Sequence, residues 1–173
     1  MKEIIDVNTG EVAVQRGKFT LRAMAIGSCI VVTAYDPKVK IAGMAHIMLP
    51  GHAPEQSSEK TKYAAEGIEQ MLNQMLELGS DTNSIEVCLI GAGNVLRKKD
   101  DTICNDNINS VTSILEEKFI SVKASVIGGY KRKSAFLDVE TGSISYTVGD
   151  DQKKSLWPPK DAIAVKISLK GGL

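Results

Sequence analysis

Two side-chain types able to move protons or attack carbonyl carbon near neutral pH are scarce in this chain. There are cysteines at 29, 88 and 104 and histidines at 46 and 52. A free thiol has a pKa of about 8.5, and an adjacent imidazolium lowers it so that the nucleophilic thiolate is populated near neutrality. The same ring can then protonate a departing amine. Cys29 lies in "AIGSCIVV" (25–32), where Gly27 permits a sharp turn before a β-branched run. Amides near such a turn, at Gly27 and Ser28, are candidates to face an oxyanion. His46 lies in "AGMAHIMLP" (42–50).

Strands and a turn must bring these two residues together. "FTLRAMAI" (19–26) and "CIVVTAY" (29–35) read as strands broken at Gly27-Ser28, and "KIAGMAHIML" (40–49) as a returning strand. Asp36-Pro37-Lys38-Val39 has Asp first and Pro second, the chemistry of a tight turn. A loop of those four residues makes Tyr35 face Lys40 and Cys29 face His46, with Cβ atoms about 4.5–5.5 Å apart on one face. A slip of one residue would put them on opposite faces. A plainer account also fits the spacing. Free cysteine packs as a small hydrophobe, and a histidine in an apolar strand is often a satisfied core residue.

Further on, Ile68, Met71, Leu72, Met75 and Leu76 fall on one helical stripe stopped by Gly79. "SIEVCLI" (84–90) is a strand ending in Gly91-Ala92-Gly93-Asn94. Asn105 or Asp106 is placed to cap a second helix with Ile108, Val111, Ile114 and Leu115 inward. "VKASVI" (122–127) is a strand closed by Gly128-Gly129. Helix, strand, helix, strand in that order implies a crossover unit. "SAFLDV" and "SISYTV", joined through Glu140-Thr141-Gly142, read as a hairpin, and "AIAVKISL" (162–169) as a last strand. The mixture predicts a layered α/β domain rather than a purely parallel sheet.

The chain has 173 residues, a length suited to a single domain, and 21 basic and 21 acidic side chains cancel. No basic field draws in nucleic acid. No apolar run is long enough for a membrane helix, and "MKEIIDVNTG" lacks signal-peptide regions, which predicts a cytosolic protein. An odd number of scattered cysteines makes no disulfide framework.

Cys88, inside an apolar strand, reads as core. Cys104 precedes a helix whose dipole would depress its pKa, but nothing pairs with it. His52 reads as a solvated loop residue, and Cys29, His46 and His52 lack metal-ligand spacing. Gly91-Ala92-Gly93-Asn94 lacks the third glycine and the Lys-Ser/Thr of nucleotide loops and reads as a turn. "RKKDD" (97–101) reads as a solvated surface, Met71 and Met75 as helix core.

"AIGSCIVVTAYDP" followed by "AGMAHIMLP" resembles the CheD family of chemoreceptor glutamine deamidases. Residues 27–29 and 43–50 carry its pattern, and His46 follows Cys29 at the family's spacing. "KYA" (62–64), the glycines of "IGAGN" (90–94), and Gly128-Gly129 with Arg132 and Ser134 agree with it. The resemblance spans about residues 10–150 of a single domain, leaving 151–173 as an extension. It implies a three-layer α/β sandwich with mixed sheets and two main helices, like the catalytic domain of a deamidating cytotoxic necrotising factor.

The implied reaction converts receptor glutamines to glutamate with release of ammonia, Cys29 being the nucleophile and His46 the general base and acid. No metal or organic cofactor is implied. The implied partners are methyl-accepting chemoreceptor helices and the CheY-phosphate phosphatase CheC. The family's usual threonine six residues before the cysteine is here Ala23. That leaves Ser28, Thr33 or a backbone carbonyl to orient the imidazole. It also defines an alternative, a non-catalytic chemotaxis adaptor that binds receptors or CheC.

Overall fold

In a computed structural model, residues 1–159 are described. The strands in chain order are β1 (Glu3–Asp6), β2 (Val12–Arg16), β3 (Phe19–Ile26), β4 (Ile30–Asp36) and β5 (Ile41–Ile47). Helix α1 (Ala64–Glu77), β6 (Glu86–Gly91), α2 (Ile103–Glu117) and β7 (Val122–Ile127) follow. The hairpin β8 (Lys133–Asp138) and β9 (Ile144–Val148), then β10 (Lys154–Trp157), complete the described elements.

Two five-stranded mixed sheets form, in the orders β2-β5-β4-β6-β7 and β1-β3-β8-β9-β10. Strands β6 and β7 run parallel with α2 as their crossover, as the element order predicts. The helices cover one face of the first sheet and the second sheet covers the other, giving the expected α/β sandwich of three layers. Alternation along β4 and β5 sorts the side chains. Ile30, Val32, Ala34, Ala45 and Ile47 pack with α1 and α2, while Val31, Tyr35, Ala42 and Met44 pack against the second sheet. Both faces are therefore apolar, which is why these strands read as continuous hydrophobic runs.

Helix α1 seats Ile68, Met71, Leu72 and Met75 in the core, each contributing about 1.5–3 kcal/mol on burial. Gly43 of β5 makes the close approach possible, since a Cβ there would lie 2.8 Å from Met71 Cγ. Leu76 departs from the predicted stripe. It is exposed, and the buried stripe of α1 ends at Met75. The predicted caps of α2 are also corrected. The helix starts at Ile103, whose N–H donates to Asp101 Oδ1 at 3.0 Å, and Asn105 and Asp106 lie inside the helix.

The hairpin register is shifted from the predicted one. Asp36 pairs with Ile41, Val31 with His46, and the loop is 37–40. The cause is the buried Asp36 carboxylate, which accepts from Lys38 N–H at 3.0 Å and Asp81 N–H at 3.1 Å and so stays at the strand end. Lys40, at φ 55°, closes the loop by donating its N–H to Asp36 O at 2.8 Å. The shift moves the partner of His46 by two positions, so the face is preserved. Cys29 and His46 become diagonal rather than direct neighbours across the pair, a relation of about 7–8 Å in backbone separation.

Strands β1, β2 and β10 carry no clear sequence signal. Strand β1 runs parallel to β3 in one sheet and β2 antiparallel to β5 in the other, so residues 7–11 cross the seam between the layers. The expected strand at 162–169 lies outside the described residues.

Candidate active site

The turn bearing Cys29 is held from three sides. From the segment just after β6, Ala92 N–H donates to Cys29 O at 2.6 Å and Gly93 N–H to Gly27 O at 2.8 Å. Gly91 has φ 118°, and a Cβ on it would sit 2.6 Å from the Cys29 carbonyl oxygen. The glycine run after β6 is thus a seat for the cysteine turn, which agrees with the reading of it as a turn and gives its glycines a purpose. From α2, the fully buried Asn107 donates through Nδ2 to Ser28 O at 3.0 Å and to Met48 O at 3.1 Å.

The third support is a bulge in β3. The β3–β8 register slips between Ala23 and Ile26, with Ala25 at φ 53°. Ala25 N–H donates to Ser134 Oγ at 3.2 Å, and Arg132 Nη1 donates to Ala25 O at 3.2 Å. Bulges re-aim side chains beside functional sites. Here Met24 is turned out to the rim.

His46 is fixed by residues 7–11. Gly10 N–H donates to His46 O at 2.8 Å, His46 N–H donates to Glu11 O at 3.0 Å, and ring Nδ1 lies 2.9 Å from Val7 O. A carbonyl only accepts, so the bond places the ring proton on Nδ1. Nε2 is then a lone-pair acceptor, and this buried atom has no hydrogen-bond partner in the protein. Ala23 is wholly buried and offers no hydroxyl, so of the alternatives left open the backbone carbonyl, Val7 O, takes the orienting position.

Cys29 and His46 line one cleft of about 270 Å³, together with Thr9, Met24, Gly27, Ser28 and Leu96. That volume suits a side-chain amide rather than a large ligand. Thr33 is not there. Its hydroxyl donates to Cys88 O at 3.3 Å inside the sheet, which removes it from the candidate auxiliary residues.

The electrostatics differ from the sequence expectation of an ion pair. Burial pushes the Cys29 thiol above its ordinary range, while a hydrogen bond from Thr9 and the cysteine's own N–H pull it back in part. Burial also lowers the His46 pKa, against the opposing Val7 hydrogen bond and the Glu11 charge. Both shifts favour the neutral forms, so the resting pair is thiol and imidazole. Thr9 was not legible in the sequence, because a Thr in "VNTG" gives no periodic or motif signal.

The other cysteines behave as buried groups. Cys88 is fully buried and its thiol is pushed up to about 12, mainly by desolvation. Cys104, in the first turn of α2, is also raised by burial, so the expected helix-dipole depression does not prevail. His52 is exposed, 3.3 Å from Glu66 through Nδ1. Among the described residues no three His, Cys, Asp or Glu side chains cluster as metal ligands. None of the described helices is long and apolar enough to cross a membrane.

Two mixed sheets with helices on one outer face define a three-layer α/β protein, and a cysteine and a histidine line one of its clefts. Residues 48–147 match the family model described as CheD chemotactic sensory transduction. A probable chemoreceptor glutamine deamidase CheD of Chlorobium luteolum is 37% identical over 86% of this chain and 75% of its own. The chemoreceptor glutamine deamidase CheD of Thermotoga maritima is 27% identical over 83% of this chain and 90% of its own. That of Halalkalibacterium halodurans is 28% identical over 89% and 99%. The chain belongs to the CheD family. The solved hypothetical protein YfiH of Bacillus licheniformis aligns with 14% identity and a TM-score of 0.44, over 74% of this chain and 59% of its own.

Proposed function

We propose that this protein deamidates glutamine side chains on chemoreceptor signalling helices, with Cys29 as nucleophile and His46 as general base and acid. The observation that supports this most is that Cys29 and His46 line one cleft while the buried His46 Nε2 has no hydrogen-bond partner. The relatives' names supply the substrate class.

Because both groups rest neutral, attack begins with proton transfer. Nε2 takes the thiol proton as Sγ bonds to the side-chain amide carbon, whose oxygen becomes an oxyanion. The Nε2 proton then passes to the amide nitrogen, the C–N bond breaks and ammonia leaves. Water, deprotonated by Nε2, attacks the thioester. The C–S bond breaks, Sγ regains a proton and glutamate is left. Val7 O holds the ring in the required tautomer throughout and stabilises the transient imidazolium.

Exposed Met24 and Leu96 stand at the cleft mouth and suit the apolar flank of a receptor helix. Such helices lie in the cytoplasm, which is where the protein acts. CheC is the second partner, competing for the same face. The test is ammonia release from a purified receptor fragment, with mass spectrometry locating each Gln-to-Glu conversion. Parent protein should release ammonia and Cys29→Ala should not, while both bind the fragment. Equal binding with no release by either would replace the enzyme with the adaptor reading.

A further inference from the structure

Among the described residues, Asn107 is the one buried polar side chain that ties α2 to both catalytic segments, through Ser28 O and Met48 O. It touches neither the thiol nor the imidazole in any hydrogen bond. Its action must therefore pass through the peptide it grips. Ser28 O belongs to the same planar unit as Cys29 N–H, and among the described residues the only cis bond is Trp157-Pro158. In a trans peptide the C=O and N–H vectors are antiparallel. Holding Ser28 O toward α2 consequently turns Cys29 N–H away from it.

That N–H is free for a ligand. No backbone carbonyl accepts it among the described turn and loop hydrogen bonds, whereas Cys29 O is already taken by Ala92. Cys29 itself lines the cleft, so the freed N–H belongs to the residue that carries the thiol there. A carbonyl carbon attacked by Sγ would place its oxygen beside this donor, and a preorganised N–H at a developing oxyanion is among the strongest catalytic devices.

We propose that Asn107 is a positioning residue that aims the Cys29 backbone N–H as the oxyanion donor of the acyl-transfer step. Met48 O is the second anchor. By bonding two carbonyls from one amide, Asn107 cannot follow Ser28 if the turn rotates, so the peptide plane is locked against the end of β5. The geometry also accounts for an otherwise unfavourable feature. Asn107 Oδ1 is buried with no partner, a cost that an amide serving only to fill core would not be expected to carry.

The inference rests on Cys29 being the nucleophile but not on the substrate being a receptor. Two reactions of Cys29 separate the role. Alkylation by iodoacetamide breaks a C–I bond and forms S–C without any oxyanion. Acylation by p-nitrophenyl acetate forms a tetrahedral oxyanion before p-nitrophenolate leaves and the thioester remains. In Asn107→Ala, alkylation of Cys29 should hold within about twofold while acylation falls roughly ten- to hundredfold. Asn107→Ser serves if the alanine variant does not fold.

The unsubstituted protein gives an independent readout. When a peptide aldehyde adds to Cys29, the Cys29 amide proton should shift downfield in the NMR spectrum. Parallel loss of both reaction rates, an unchanged ratio of the two, or an unmoved amide resonance would overturn the assignment. Failure of ammonia release from receptor fragments with the rate ratio as expected would count against the substrate class alone.

Discussion

The seat beneath Cys29 can be perturbed at a single carbon. Gly91→Ala adds a Cβ that would lie 2.6 Å from Cys29 O and 2.6 Å from Ile26 Cγ2, with the backbone at φ 118°. Positive-φ strain costs about 1–3 kcal/mol and overpacking about 1–3 kcal/mol more, so about 2–6 kcal/mol in total. Gly79→Ala is the matched control. It has φ 111° and nothing within 4 Å of an added Cβ, so it carries the strain alone. Relief of the Gly91 clash requires the Cys29 carbonyl to retreat by most of an ångström. A displacement of that size at a reacting group costs up to about a hundredfold in rate. Urea unfolding should show Gly91→Ala less stable than Gly79→Ala by the overpacking component. Peptide-mapped alkylation and acylation should show slowed Cys29 chemistry only in Gly91→Ala. Equal stabilities together with equal Cys29 reactivity would refute the idea that Gly91 supports the Cys29 turn.

Thr9→Val removes the hydroxyl that opposes the burial shift of the Cys29 thiol and should raise its pKa further. One net hydrogen bond of about 0.5–1.5 kcal/mol corresponds to alkylation at neutral pH slower by roughly two- to thirteenfold, with Thr9→Ser restoring the rate. His46 should make folding pH-sensitive. Its folded pKa is depressed, so below about 6.5 the unfolded chain binds more protons, and stability falls by up to ~1.4 kcal/mol per pH unit until the folded pKa is reached. Urea titrations between pH 7 and 5 should show that component in the parent and not in His46→Gln; identical slopes would contradict the burial argument.

The central hairpin, the crossover unit and the β8–β9 hairpin were legible because their apolar runs and turn residues agree. The face shared by Cys29 and His46 was legible as well, since a two-residue register shift preserves alternation. The register itself was not. The Asp-Pro turn looks complete by local rules, and only the distant Asp81 N–H holds Asp36 at the strand end. The supports of the site were hidden for a related reason. Val7, Thr9 and Asn107 act through contacts 20 to 79 positions away in sequence, and none sits in a motif with intrinsic chemistry. Expecting an imidazolium beside a thiolate followed from pairing the two groups in water. Burial of both reverses it.

Orienting the His46 ring with Val7 O has a consequence for how this site can vary. Every residue type at position 7 brings the same oxygen, so no single replacement there deletes the acceptor. Drift in the sequence can change the ring's orientation only by moving the whole strap between the two sheets. A protein so built can lose the hydroxyl expected at position 23 without losing its tautomer, and its activity is exposed instead to insertions or deletions near the start of the chain.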